Sequence, residues 1–440
     1  MKEKKMTEFL LQPQRPALLE GFDNELHVLA KLSAPAAPKT AKKRKSLNLS
    51  IVIDRSGSMG GQPLEEAKKC ASMIINSLDV NDRISIITYH DHAELLVPSI
   101  LAENKSSIIS AISNITTAGR TALHAGWLMG AEQVAQFKSE LSINRVLLLS
   151  DGAANVGLTQ LEAITPQCSD LAQTGVTTST YGLGQHFNED LMIEMAKAGQ
   201  GQGYYGETAE DLADPFKEEF DLLTNTMATN LEIFVEYPTF VSLELLNTYI
   251  GADPKWKMPD LAYEGEAWAL FKLNIKQENV NQCSNVDILR SHISYLDLKG
   301  NKVETEVKSI RLAPVNQNAF AAITEDPNVK SRLLELRAAS FQDRARQAAN
   351  NEDWDEVAVI MEHARQESGE NAWVKESLSS LERYAKRKER RAFSKEALYS
   401  ADKFRSRLSS NYENSEVYSA SQENAKPMYL RRKQERGKRM

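Results

Sequence analysis

The spacing of apolar positions changes along the chain, and each change predicts a different kind of element. Residues 1–23 show no regular period. Leu26, Val28, Ala30 and Leu32 then alternate and predict a single strand over 24–34. A small-residue and basic segment follows, Ala34-Pro-Ala-Ala-Pro38 and then Lys39 to Lys45, and reads as a domain boundary. From Leu47 onward short apolar runs alternate with amphipathic stretches. The runs Leu47–Ile53, Ile84–Tyr89, Val146–Ser150 and Val176–Tyr181 predict strands, of which the third is almost continuously apolar, as a strand covered on both faces should be. Helical spacing lies between and after them, over 64–78, 105–112, 123–137, 161–172, 191–198 and 209–223. Alternation on this scale predicts an α/β, doubly wound parallel sheet over 46–226. Ala93–Val97 follows the second run too closely for a crossover, so an antiparallel pairing is expected there.

Beyond residue 226 the helical period stops. Leu231–Val235, Val241–Leu246, Trp268–Ile275, Val286–Leu298 and Val303–Ile310 predict strands, the last two joined by Lys299-Gly-Asn-Lys302 as a hairpin. This is an all-β unit over 227–315. The isolated strand at 24–34 has no other home, so the α/β domain is expected to be an insertion in a β-sandwich. From Asn328 the 3.6 period returns, with apolar stripes at Leu333/Leu336/Ala339, Trp354/Val357/Met361 and Trp373/Leu378/Leu381, and a turn at Gly369 and Asn371. These predict a helical hairpin or bundle over 325–390. Residues 391–440 read as a polar, basic, disordered tail.

Composition narrows the function classes. A chain of 440 residues, 42% hydrophobic and 26% charged, can bury several cores, and a formal charge of −7 argues against a general nucleic-acid binder. The basic stretch from Arg431 to Arg439 leaves RNA, anionic lipid or an acidic partner as readings secondary to a solvated tail. The three cysteines, Cys70, Cys168 and Cys283, are far apart and form no CxxC pair, so neither a disulfide framework nor a structural zinc site is indicated. The apolar patch Phe9–Leu11 is too short for a signal segment, and no run approaches a membrane span; a cytoplasmic location is expected.

The chemistry concentrates in Ile51-Val-Ile-Asp54-Arg-Ser56-Gly-Ser58, where an apolar strand stops at a carboxylate and two hydroxyls follow at alternate positions. The carboxyl ends of strands in an open α/β sheet form the ligand crevice. Oxygen donors aimed into it suit a hard cation: Mg²⁺ first, with Mn²⁺ or Ca²⁺ as alternatives. Val146-Leu-Leu-Leu-Ser-Asp151 is a second strand ending in a carboxylate, and Ala118-Gly119-Arg120-Thr121 brings a hydroxyl to a loop–helix junction. Asp54, Ser56, Ser58, Thr121 and Asp151 together resemble, in order and spacing, the metal-ion-dependent adhesion site of von Willebrand factor A domains. The context Asn81-Asp-Arg83, Ser150-Asp-Gly152 and Tyr181-Gly-Leu-Gly184 fits as well. The resemblance is closest to bacterial proteins related to inter-alpha-trypsin-inhibitor heavy chains and covers about residues 24–315.

That resemblance implies metal contacts from the hydroxyls of Ser56, Ser58 and Thr121, with Asp54 and Asp151 binding directly or through water. It also implies an open coordination position for an acidic residue of a protein partner, and an AAA-type ATPase or larger assembly as partner. Arg120 is a candidate for attracting that acidic residue, with a solvated loop arginine as the equal alternative. His124 is a second candidate contact, though helix-surface packing is the stronger reading. A binding module and not an enzyme is therefore expected. The alternatives are a metal-dependent hydrolase and a scaffold whose metal only stabilises the fold. No G-x-S-x-G or P-loop pattern is present. His90-Asp-His92 reads as a solvated turn, because no third metal ligand is visible in the sequence.

Overall fold

Strand pairing begins earlier than the apolar pattern predicts. The computed structural model describes residues 7–37, 44–151, 154–183, 188–206, 213–368 and 371–406. In it β1 (Glu8–Pro13) runs antiparallel to β3 (Asn24–Ser33), with β2 (Leu18–Leu19) between them in sequence. The expectation of an irregular 1–23 is thus corrected. β1 is an edge strand with only Phe9 buried, so it carries no period-2 signature and is held through its backbone groups.

The chain divides into two compact units. One comprises Pro38–Thr229 with Leu296–Asn301; the other comprises Met1–Ala37, Asn230–Tyr295 and Lys302–Met440. The first unit contains β4 (Ser46–Asp54), α1 (Gln62–Ser77), β5 (Arg83–Tyr89), β6 (Ala93–Leu101), α2 (Lys105–Ser113) and α3 (Leu123–Gln136). It continues with β7 (Ser142–Ser150), α4 (Leu161–Gln173), β8 (Thr177–Leu183), α5 (Glu189–Ala198), β9 (Gln200–Gly206) and α6 (Ala213–Asn225). The sheet order is β6-β5-β4-β7-β8-β9, with β6 antiparallel and the other strands parallel. The chain moves outward from β4 on one side, then returns to β7 on the other. The carboxyl end of β4 is therefore the switch point of an α/β fold.

Alternation along β4 assigns its two faces. Leu47, Leu49, Ile51 and Ile53 join Leu64, Ala67, Cys70 and Ile74 of α1 in one core. Asn48, Ser50 and Val52 face α3, whose Gly130 lies so close that a Cβ there would meet Val52 Cγ2 at 2.5 Å. A Cβ on Gly126 would meet the Tyr89 ring at the same distance, so only glycine allows this helix its seat.

β9 had no counterpart in the apolar pattern. Its sequence, Gln200-Gly-Gln-Gly-Tyr-Tyr-Gly206, is glycine-rich because a Cβ at Gly201 would fall 2.0 Å from the Thr178 carbonyl oxygen. Beneath it Arg145 on β7 donates to Glu219 on α6 at 2.5 Å, and Ser179 and Tyr204 donate to the same carboxylate at 2.7 Å. Burial pushes the Glu219 carboxyl up, but the Arg145 charge and these hydrogen bonds outweigh it and hold the group below the ordinary value.

The second unit contains β1 to β3, β10 (Thr226–Glu236) from Asn230 onward, β11 (Val241–Leu245), β12 (Gly251–Ala252), β13 (Lys255–Lys257), β14 (Leu261–Ala262) and β15 (Glu266–Ile275). β16 (Leu289–Leu296), β17 (Lys302–Glu304), β18 (Lys308–Ile310) and β19 (Pro314–Val315) complete it. β3 pairs with β15 from Ser33 opposite Glu266 to Asn24 opposite Ile275, in a sheet ordered β1-β3-β15-β11. A second sheet is ordered β12-β13-β10-β16-β17, and the Trp256 and Phe271 rings meet across the two at 5.8 Å. The run Val303–Ile310 is not one strand; it breaks into β17 and β18, both on β16.

Four long helices follow the short α7 (Gln317–Ala322): α8 (Pro327–Asn350), α9 (Trp354–Glu367), α10 (Ala372–Lys386) and α11 (Arg390–Ser406). Asp326 caps α8 by accepting from the N–H groups of Asn328 and Val329. The first turns of α8 set Val329, Leu333 and Leu336 against Leu29, Trp268 and Leu270 of the sheet, and its later turns join the core of α9 to α11. The expectation of a disordered tail from 391 is corrected up to residue 406. Phe393, Ala397, Ala401 and Phe404 form a buried helical stripe that the surrounding charged residues obscure in sequence. Residues 407–440, Gly152, Gly184, Gly369 and most of the basic boundary at 39–45 lie outside the described residues. Among the described residues no helix is long and apolar enough to cross a membrane.

Replacing Arg145 with alanine leaves Glu219 buried without its cation and is expected to cost about 3–5 kcal/mol. That corresponds to a fall in melting temperature on the order of 10 °C. Arg145→Met combined with Glu219→Leu should recover most of the loss in thermal melts.

Candidate metal centre

The carboxyl ends of β4 and β7 are brought together by register. Ile53 lies opposite Leu149, so the chain beyond each strand emerges at one sheet edge. Asp54, fully buried, accepts from the Ser56 N–H through Oδ1 at 2.8 Å and from the Ser150 hydroxyl through Oδ2 at 2.7 Å. The Ser56 and Ser58 hydroxyls lie 3.2 Å apart, and Ser58 donates to Asp151 Oδ1 at 2.8 Å. Four of the five expected residues are thereby connected, Asp54 to Ser56 through the backbone N–H and Ser56 to Ser58 to Asp151 through hydroxyl oxygens.

Thr121 reaches this place through its loop. The Gly57 N–H donates to the Gly119 carbonyl at 3.1 Å, and Ala118 N–H to the Arg55 carbonyl at 2.8 Å. Asn155 binds Thr121 twice: its side-chain oxygen accepts from the Thr121 N–H at 2.9 Å, and its own N–H donates to the Thr121 carbonyl at 3.1 Å. The segments after β4, before α3 and after β7 are stitched together, and Thr121 is buried at their junction. Asn155 and Ser150 are positioning residues; Ser150 lies in the motif context quoted from the sequence, whereas Asn155 was not singled out. The available signal was an amide four residues beyond Asp151, which is also what an ordinary turn would show.

Arg120 and His124 have hydrogen-bond partners outside this network. The Arg120 side chain is exposed and its Nε donates to Asp91 at 2.9 Å. His124 Nε2 lies 3.0 Å from Gln167 Oε1 on α4, with its ring against Trp127. Neither is hydrogen-bonded to Asp54, Ser56, Ser58, Thr121 or Asp151.

The electrostatics are one-sided. Burial pushes the Asp54 carboxyl above its ordinary value despite the hydrogen bonds it receives. Burial likewise raises Asp151, to about 6, with a further push from the Asp54 charge and partial relief from Ser58. Among the described residues no lysine, arginine or histidine forms an ion pair with either carboxylate. Every donor in the cluster is an oxygen. A hard divalent cation fits both the donor chemistry and the uncompensated negative charge.

The model of the von Willebrand factor type A domain matches residues 48–218. This stretch is a von Willebrand factor type A domain. Among curated proteins, "Uncharacterized protein YfbK" of Escherichia coli (strain K12) is 27% identical over 312 residues, covering 69% of this chain and 50% of that protein. Inter-alpha-trypsin inhibitor heavy chain H3 of Homo sapiens is 28% identical over 240 residues, covering 51% of this chain and 25% of that protein. The chain spans about half the length of the first curated relatives it matches. Among solved structures, "von Willebrand factor type A from Catenulispora acidiphila" superposes with a TM-score of 0.70 at 16% identity, covering 87% of this chain and 91% of that one. That similarity establishes a shared fold, and it extends well beyond the A domain.

The raised Asp151 carboxyl has a measurable consequence in metal-free protein. An acid whose folded value exceeds its unfolded value destabilises the fold above the folded value, and the cost fades as pH falls from about 6 towards 3.8. Asp151→Asn is therefore expected to stabilise the chelator-treated A domain at pH 8 by about 1 kcal/mol, or about 2–4 °C in melting temperature. At pH 4 the difference should vanish. A variant that melts below wild type at pH 8 would contradict this electrostatic account.

Proposed function

We propose that the A domain is a Mg²⁺-dependent protein-binding module that captures an acidic side chain of a partner protein. The observation that carries this reading is the pair of buried carboxylates, Asp54 and Asp151, linked through the Ser56 N–H and the Ser56 and Ser58 hydroxyls and without a basic partner among the described residues. They stand at the switch point of the sheet, where α/β folds receive ligands. Asp54, Ser56, Ser58, Thr121 and Asp151 would hold the cation. When bound, it supplies a positive centre that a partner's Asp or Glu can complete.

The protein's own residues do the rest. Ser150 and the Ser56 N–H orient the Asp54 carboxylate, Ser58 orients Asp151, and Asn155 fixes the backbone of Thr121. Oxygen donors alone favour Mg²⁺, with Mn²⁺ or Ca²⁺ accepted by the same chemistry. Family resemblance supports a protein as the ligand, and makes an AAA-type ATPase or a larger assembly the partner class to examine first. The enzyme alternative gains no support from His124, the one histidine near Thr121 in sequence, which is turned to Gln167.

Two measurements test the proposal. Mg²⁺ at about a hundred times its dissociation constant should stabilise the wild-type domain by about 2.7 kcal/mol, and Asp54→Ala should abolish the shift. Affinity purification from the native host should yield proteins that are retained with Mg²⁺, released by EDTA and missing with Asp54→Ala or Asp151→Ala. Recovery of the same proteins with both variants would sink the metal-bridged reading. A melting shift with no Mg²⁺-dependent partner would favour a scaffold.

A further inference from the structure

The connection between β5 and β6 holds a set of donors that differs in kind from the oxygen cluster. Tyr89 pairs with Ala93 across the antiparallel strands, and the His90 N–H donates to the His92 carbonyl at 3.0 Å, closing a three-residue turn. The turn brings the two imidazole rings to 4.4 Å, and Glu94, the next residue in the alternation, reaches both. Its Oε1 lies 3.2 Å from His90 Nε2 and 3.1 Å from His92 Nε2. The three donor atoms all lie within 4.8 Å of one another.

We infer that His90, His92 and Glu94 form a second cation site, selective for a transition metal of the Zn²⁺ class. Bonds of about 2.0–2.1 Å in a tetrahedron place neighbouring donors about 3.3–3.4 Å apart, close to the two N···O separations found here. Two imidazoles and one carboxylate suit Zn²⁺, Ni²⁺ or Cu²⁺ and disfavour Mg²⁺. The outer groups are also in place. His90 Nδ1 faces Asp91 Oδ2 at 3.4 Å, and donation there leaves the Nε2 lone pair for the metal. Asp91 is held in turn by Arg120. Three protein donors leave a fourth position for water or a partner's side chain, and the exposed His92 makes the site accessible.

Arg55 opposes binding in part. Its Nη2 donates to the same Glu94 Oε1 at 2.7 Å, so the metal shares that oxygen with a guanidinium. The arrangement fixes the carboxylate but lowers affinity below that of a cage with three uncontested donors. The turn is also tied to the adhesion loops: the Ala122 N–H donates to the His90 carbonyl at 2.6 Å, and the Arg55 N–H to the Tyr89 carbonyl at 2.9 Å. A metal at His90, His92 and Glu94 would therefore stiffen the backbone next to Thr121. The assignment does not depend on the proposed function of the oxygen site.

The test uses the full chain stripped of metal, with millimolar Mg²⁺ added to saturate the oxygen set. Calorimetric titration with Zn²⁺ should give one equivalent, and Co²⁺ should give the intense visible absorption of a tetrahedral N/O site. Both signals should survive Asp151→Asn. His92→Ala alters an exposed side chain and should leave melting temperature nearly unchanged, whereas Glu94→Gln also weakens the ion pair with Arg55 and should lower it slightly; each is expected to weaken Zn²⁺ binding at least about tenfold. The inference is overturned if wild type binds no Zn²⁺ under these conditions, if Asp151→Asn removes the binding, or if His92→Ala leaves it unaltered.

Discussion

Two like charges forced together at the end of a buried sheet set the terms for this domain. β4 and β7 are parallel neighbours whose apolar residues are almost wholly buried, so sliding one strand by a residue would drive its core face towards α3 or out of the core. The register is therefore fixed by burial, and it delivers Asp54 and Asp151 to a common point whatever their electrostatic cost. Hydrogen bonds from Ser56, Ser58 and Ser150 offset part of that cost, but both carboxyls remain raised. A divalent cation at the proposed site would offset the remainder. The hydroxyls suit this purpose better than lysines would, because they stabilise the carboxylates without neutralising them.

The remaining oxygen donor is positioned by packing. Thr121 precedes α3, and α3 lies flat on the sheet because Gly126 and Gly130 present no side chain to Tyr89 and Val52. The glycines set the height of the helix, and the helix sets the height of the loop before it. Hydrogen bonds from Gly57 and Asn155 then lock that loop to its neighbours. Loop residues gain their precision here from a rigid scaffold, which is the usual basis for placing a binding site on loops.

The sequence was most informative where burial and chemistry coincide. Asp54 and Asp151 stand out because each ends a run that is otherwise apolar, and the α/β alternation follows directly from runs buried on both faces. Elements held by other means were hidden. β1 is anchored by backbone pairing, β9 by glycines that let strands approach, and α11 by a buried stripe masked by surface charge. The role of Asn155 depends on where its loop folds back, which spacing alone does not encode. Glu94 was overlooked for a related reason. Once a turn interrupts the strand, the alternation 90, 92, 94 no longer guarantees a common face, and the ring geometry alone restores it.

The place of the A domain in the chain imposes a further condition. Ser33 pairs with Glu266, so the sheet of the second unit is completed only by strands that flank the whole A domain in sequence. Such an arrangement is tolerated when the inserted domain folds by itself and its two ends lie close together, since little additional loop-closure entropy is then required. The structure meets this condition at Lys45. Its buried ammonium donates to the Thr229 hydroxyl at 2.8 Å and to the Glu140 carbonyl at 2.9 Å, bonding the start of the domain directly to its end. Loops at the carboxyl edge of the sheet are thus free to vary for binding, because the requirement of joining the two units falls on other residues of the domain.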